Sequence, residues 1–160
     1  MPAIKITHLK ILFSMFLLPA FFSCDKKEKT STVHKDPNGI TSISLSHIGG
    51  DEGDYKIIKV TRDSIHAEKG ITARQTHQEW DSAISVQTWN HLISSIHTKD
   101  LDEIESSPSH QSVDGIDETF QIRTPKKSHI YVNSYADTVH YRQLKKFKEQ
   151  LNIILPTEYQ

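Results

Sequence analysis

The chain has 160 residues, with 19 lysines and arginines against 20 aspartates and glutamates, and a formal charge of −1. So balanced a charge gives no basic field to draw in nucleic acid or anionic lipid, and nucleic acid is not an expected partner. One cysteine in the whole chain excludes an internal disulfide and any multi-cysteine metal site.

The amino terminus carries Lys5 and Lys10, no acid, and then an apolar run from Ile11 to Phe22 broken by Ser14 and Pro19. That run is about 12 residues long, whereas a bilayer-crossing helix needs roughly 20. A basic start followed by a short apolar middle is the secretory pattern. The run stops at Ser23-Cys24, ahead of Asp25-Lys26-Lys27-Glu28-Lys29. Phe21-Phe22-Ser23-Cys24 resembles the lipobox of bacterial lipoproteins, in which a small residue precedes an acylated cysteine. It matches at Ser23 and Cys24 and departs at Phe21, where most such signals carry leucine. A relaxed box with a Lys/Asp/Glu-rich start is similar to lipoproteins of the Bacteroidetes type. The resemblance implies a signal peptide over residues 1–23 and a lipidated (palmitate-bearing) Cys24. It also implies a membrane anchor in the cell envelope, with the outer membrane as the expected site, facing the periplasm or the cell surface. Each buried methylene contributes about 0.8 kcal/mol and stable anchoring takes about two acyl chains, which an acylated cysteine of this kind supplies. Without Lys5 and Lys10 the mature chain has 17 basic and 20 acidic residues, a charge of −3.

Residues 25–39 are mostly polar, with Val33 the one sizeable apolar side chain. Such a stretch buries too little surface to offset its ordering entropy. With Cys24 it reads as a flexible tether over 24–39, reaching at most about 50 Å and about 20 Å as a coil. It ends in the turn chemistry of Asp36-Pro37-Asn38-Gly39. Residues 40–160 suffice for one hydrophobic core and one domain.

Strands open that domain. Ile43 and Leu45 alternate with Ser42, Ser44 and Ser46, the period of a half-buried strand. Gly49 to Asp54 reads as a loop, and Tyr55 to Thr61 as a second strand. Ser64–Lys69 is a third, with Ile65 and Ala67 on one face. Gly70 is expected to turn, and Ile71 to Trp80 to form a fourth strand. The even spacing argues an antiparallel meander. Val86, Trp89, Leu92, Ile93 and Ile96 then recur at helical spacing after Ser85 as cap. The polar segment from His97 to Glu118 is long for a loop, with a short element expected around Leu101–Ile104. Phe120 and Ile122, then Ile130 and Val132, make a hairpin around Pro125–Ser128. Asp137 caps a last helix with Val139, Leu144, Phe147, Leu151, Ile154 and Leu155 in one stripe, stopped by Pro156. The order ββββ-α-ββ-α predicts an α+β fold, an antiparallel sheet with two helices packed on one face.

Catalytic and metal motifs are sparse. Of the ten histidines, His91 and His97 share a helix but stand about 240° apart around it. His47, His66, His77 and His129 lie on separate strands and would have to converge to hold a metal. Exposed or hydrogen-bonded histidines are the plainer expectation, and no metal or other cofactor is expected. Asp51-Glu52-Gly53-Asp54 lacks the calcium-loop spacing and reads as an acidic hairpin. No G-x-S-x-G elbow is present, and Asp102-Glu103 and Asp117-Glu118 are adjacent pairs whose side chains diverge. No catalytic residue is assigned. Trp80 sits among polar residues and is a candidate recognition anchor. With it, Asp102, Glu103, Asp114 and Asp117 of the long loop are the candidate partner-binding residues.

Residues 84–155 also resemble a loose group of small uncharacterised lipoproteins of the same bacterial type. The shared features are a helix ending near Ile96, then Asp114-Gly115, strands at Phe120–Thr124 and His129–Ser134, and a closing amphipathic helix. The resemblance implies an α+β domain and no known activity. The expected function is a non-enzymatic, lipid-anchored protein-binding module, in one form an immunity-type lipoprotein that neutralises a toxin. The alternative is a ligand-binding or enzymatic accessory subunit of an envelope complex. Cys24→Ala is expected to release the protein from membranes. After a carbonate wash of fractionated cells the variant should leave the pellet, and its retention there would refute the lipid anchor.

Overall fold

Alternating side chains on six segments build a single antiparallel sheet in the computed structural model, which describes residues 39–160. The expected signal peptide, Cys24 and the tether up to residue 38 lie outside the described residues. The strands are β1 (Ser42–Gly49), β2 (Asp54–Thr61), β3 (Ser64–Ile71), β4 (Thr76–Ala83), β5 (Ile116–Arg123) and β6 (Ser128–Val132). Helix α1 (Val86–Ile93) follows β4, and α2 (Arg142–Ile154) follows β6. The sheet order is β4-β3-β2-β1-β5-β6. The meander thus grows outward from β1 on one side, and the β5–β6 hairpin docks on the other. The fold is α+β.

Register turns alternation into rows. Leu45, Ile58, Ala67 and Trp80 stand side by side across β1 to β4, and Phe120 and Tyr131 continue that row beyond β1. Ile43, Val60 and Ile65 make a second row with Ile122. These side chains are buried together with Trp89, Leu92 and Ile93 of α1 and Leu144, Phe147 and Leu151 of α2, with Trp80 partly buried against them. One core therefore lies between the helices and one face of the sheet.

Several boundaries differ from the sequence reading. Gly70 does not turn but lies inside β3, opposite Tyr55 and His77. A Cβ there would collide with the Thr76 carbonyl and come within 2.5 Å of Tyr55 Oη. Glycine marks a close approach of two strands rather than a bend. The turn falls instead at residues 72–75, where Gln75 takes φ 53°, and β4 runs on to Ala83. Helix α1 begins as expected, with Ser85 Oγ accepting the Thr88 N–H at 3.0 Å. It ends at Ile93 because Ser94 bonds back to the His91 carbonyl through both its backbone N–H (3.2 Å) and its hydroxyl (2.6 Å). Ile96 is buried beyond it. Asp137 accepts the N–H groups of Val139 (3.0 Å) and His140 (2.8 Å). It caps a separate turn before the regular helix, which leaves Val139 68% exposed rather than in the stripe.

The long loop contains two 3-10 turns, Leu101–Glu103 and Gln111–Val113. Leu101 and Ile104 are buried, and Tyr131 Oη donates to the Leu101 carbonyl at 2.5 Å. Phe147 is fully buried and meets Phe120 edge-on at 6.4 Å. Phe147→Ala should cost about 3–5 kcal/mol, a large share of the stability of a domain this size. Thermal or urea unfolding measures it, and a melting temperature within a degree or two of wild type would contradict this packing.

Candidate functional site

Beyond the two apolar rows, the helix-covered face carries a third row that is polar. His47, Lys56, Lys69 and Gln78 stand side by side on β1 to β4, and Glu118 lies opposite His47 on β5. Glu118 is 7% exposed and its carboxylate is saturated. Oε1 accepts from Tyr141 Oη at 2.7 Å, while Oε2 accepts from Lys148 Nζ at 2.6 Å and lies 3.2 Å from His47 Nε2. Burial alone would raise its pKa, but the bonds from His47, Lys148 and Tyr141 outweigh it and hold it at about 2. Burial would likewise lower the Lys148 pKa, yet the Glu118 and Tyr141 bonds raise it. The Tyr141 phenol is pushed up, first by burial and then by Glu118. These groups hold α2 to the sheet in fixed charge states.

Lys56 and Lys69 face each other across β2 and β3, a repulsive cross-strand pair. Each is satisfied by main chain of the closing segment: Lys56 Nζ donates to the Gln160 carbonyl at 2.8 Å, Lys69 Nζ to that of Glu158 at 2.7 Å. Burial lowers the Lys56 pKa, and the charges of Lys148 and Lys69 lower it further. Both lysines, with His47, Tyr55, Gln78 and Ile116, line a cleft of about 500 Å³. Tyr159 of the closing turn is buried, with the Lys69 ammonium 5.0 Å from its ring centre and the Trp80 ring 6.3 Å away.

The candidate partner-binding residues do not share one surface. Trp80 is on the edge strand β4, half-buried against the core. Asp102 is exposed at the other edge, paired with Lys127 Nζ and 3.4 Å from His129 Nδ1. Five strand spacings of about 4.8 Å put these edges roughly 24 Å apart. Glu103 is exposed beside Asp102, and Asp114 is exposed in a left-handed turn at φ 56°. Asp117, opposite Ile48 on the other side of the sheet from Glu118, is buried under the long loop. It accepts from Ser109 Oγ (2.5 Å), the His110 N–H (2.7 Å) and Asn133 Nδ2 (2.7 Å). Those bonds hold its carboxyl below the usual range against the opposing effect of burial. It ties the long loop to β5.

The four strand histidines divide between the faces. His47 and His129 share rows with Glu118 and Ile122, while His66 and His77 point to the opposite face beside Asp81 and Gly70. Among the described residues no group of three or more His, Cys, Asp or Glu gathers as a metal site. Glu52 pairs with Arg74 at 2.7 Å, joining the β1–β2 and β3–β4 turns.

Among the described residues no helix packs on the sheet face away from the core, and its two central rows are open. One row runs Val132, Thr119, Ser46, Ile57, Glu68, Glu79, and the next Ile130, Gln121, Ser44, Lys59, His66, Asp81. Sequence reading passed over this surface because each strand contributes one or two unremarkable polar residues. The period-2 pattern does place Ser44, Lys59 and Gln121 opposite the core residues. No family model matches this chain, and comparison with curated proteins gives no match.

The Glu118 cluster fixes an acid dependence. Its pKa lies below the ordinary value of 4.5 in the folded chain, so its contribution is present above that value and is lost as pH falls toward about 2. Glu118→Gln should lower stability at neutral pH by leaving the half-buried Lys148 without its counter-charge. It should also flatten the fall in melting temperature between pH 4.5 and 2. Asp117 and Asp137, also held low, maintain a residual slope. Thermal melts across that range test this, and an unchanged slope in the variant would contradict the assignment.

Proposed function

We propose that this protein is a lipid-anchored lipoprotein of the bacterial envelope that acts as a protein-binding module rather than an enzyme. The observation that carries the reading is the uncovered face of the six-stranded sheet. The helices pack on the other face, so among the described residues this one presents a mixture of serine, glutamine, lysine and acidic side chains. Apolar residues stand among them, Ile130 being 57% exposed and Ile48 39%. A mixed polar surface with apolar points is the composition of a non-obligate protein interface. The charge states of Glu118, Lys148 and Tyr141 support the same reading. A general acid or base works with a pKa near that of its medium. The bonds between Glu118 and Lys148 outweigh burial and move both away from it, and burial with the Glu118 bond moves Tyr141 up. Neutralisation of a toxin delivered to the envelope is one form such binding takes.

Site-specific photo-crosslinking in the cells that make the protein tests this. Probes at Lys59, Gln121 and Ile130 on the open face should each give a discrete crosslinked species. Probes at Lys146 and Ile153 on the outer side of α2 should not. Equal crosslinking from both sides, or none from the sheet, would overturn the proposal.

A further inference from the structure

We propose that the outer edge of β4 receives an extended segment of a protein partner as a seventh strand, with basic residues alternating with apolar ones. This rests on the binding reading above and gives it a place and a chemistry. β4 ends the sheet, and among the described residues no main-chain bond forms on its outer side. The opposite edge is covered at Val132, whose N–H donates to Ser106 Oγ at 3.0 Å and whose carbonyl accepts from the Ser107 N–H at 2.9 Å.

The bonding phase of β4 follows from one contact. The Ile84 N–H donates to the Asp63 carbonyl at 3.0 Å, one step beyond the Ser64–Ala83 pair. In an antiparallel ladder alternate pairs exchange bonds. Gln78, Trp80 and Ser82 therefore bond inward to β3. His77, Glu79, Asp81 and Ala83 turn their N–H and C=O groups outward. β4 has neither the proline, the lysine nor the bulge that commonly protects an edge.

Side chains specify the occupant. Glu79 and Asp81 project to the open face, 63% and 71% exposed. Glu68 stands directly opposite Glu79, adding a second negative charge to that row. His66 and His77 contact Asp81 (2.8 Å) and Glu79 (3.7 Å) but neutralise them only when protonated. A lysine or arginine on the incoming strand meets these acids across the pair. On the helix-covered face the row Leu45, Ile58, Ala67, Trp80 stops at the edge, so an apolar residue of the added strand extends it past Trp80. A second copy paired antiparallel about Trp80 fits poorly, because that register sets Glu79 against Asp81 twice.

The test uses the full-length chain in detergent and fluorescent eight-residue peptides alternating lysine and valine. Controls carry glutamate for lysine, or N-methyl groups on the bonding edge. The basic peptide should bind, and both controls should bind about tenfold or more weakly. Glu79→Lys with Asp81→Lys should weaken it by a similar factor. Asp81→Pro should as well, at nearly unchanged melting temperature, because the lost N–H points away from β3. If Asp81→Pro unfolds the chain, the double lysine variant decides. Equal binding of either control, undiminished binding by folded variants, or a dimer dissolved by the double lysine variant overturns the proposal. Absence of peptide binding with open-face crosslinks intact refutes the seventh strand alone. Absence of both refutes the binding reading as well.

Discussion

Register on β1 is the constraint from which the remaining arrangement follows. All eight of its residues pair with β2 on one side and with β5 on the other. The parity of Ile43 and Leu45 is thereby imposed on the strands next to it and passed to the edges. A slip of one residue would exchange these side chains for Ser42, Ser44 and Ser46 on the core face. Burial of Ile43 and Leu45, at 0% and 2% exposure, makes that slip costly, since each removes about 1.5–3 kcal/mol of exposed apolar surface. The open face inherits the complementary set. Its polar character is a consequence of the core and not an independent feature.

The same parity carries polar groups inward once the apolar rows end. His47 and Glu118 occupy the next inward positions on β1 and β5, Lys56 and Lys69 those on β2 and β3. A buried carboxylate without partners is costly, and the fold meets this with three donors on one side chain. Two of them, Tyr141 and Lys148, come from the start and middle of the α2 segment, so the solvation of Glu118 also orients that helix. The lysines are met by carbonyls of the closing segment instead. A buried carboxylate thus holds the helix, and main-chain oxygens hold the turn that follows it.

How much of this was legible in the sequence depends on the range of the interaction. Alternation around Ile43, Ile58, Ile65 and Phe120, and the stripe Leu144, Phe147, Leu151, are local patterns, and the α+β class follows from them. On β6 the apolar Ile130 is exposed, and Tyr131 faces the core instead. Gly70 misled because a glycine needed for a tight approach by Tyr55 looks the same as one needed for a turn. Val139 misled because the Asp137 cap closes its own turn ahead of the helix. Asp117 reads as a solvated loop acid, yet Ser109 and Asn133 claim it from eight and sixteen residues away. Trp80 is surrounded by polar sequence neighbours, and its place at the end of a core row appears only when Ala67 is known to lie beside it. The His47–Glu118–Lys148 contact spans three elements, and no local pattern encodes it.

The two edges and two faces of the sheet therefore differ in kind. One face is sealed and the other polar; at one edge Ser106 and Ser107 cover Val132, while among the described residues the other edge makes no main-chain bond on its outer side. Strand addition divides recognition into two parts: main-chain bonds supply affinity that any extended chain could use, and alternate side chains supply selectivity. On β4 the selectivity falls to Glu79 and Asp81 outward and Trp80 inward. The two acids act in both directions, favouring a basic strand and opposing a second copy paired about Trp80, which is how specificity is set against a competitor.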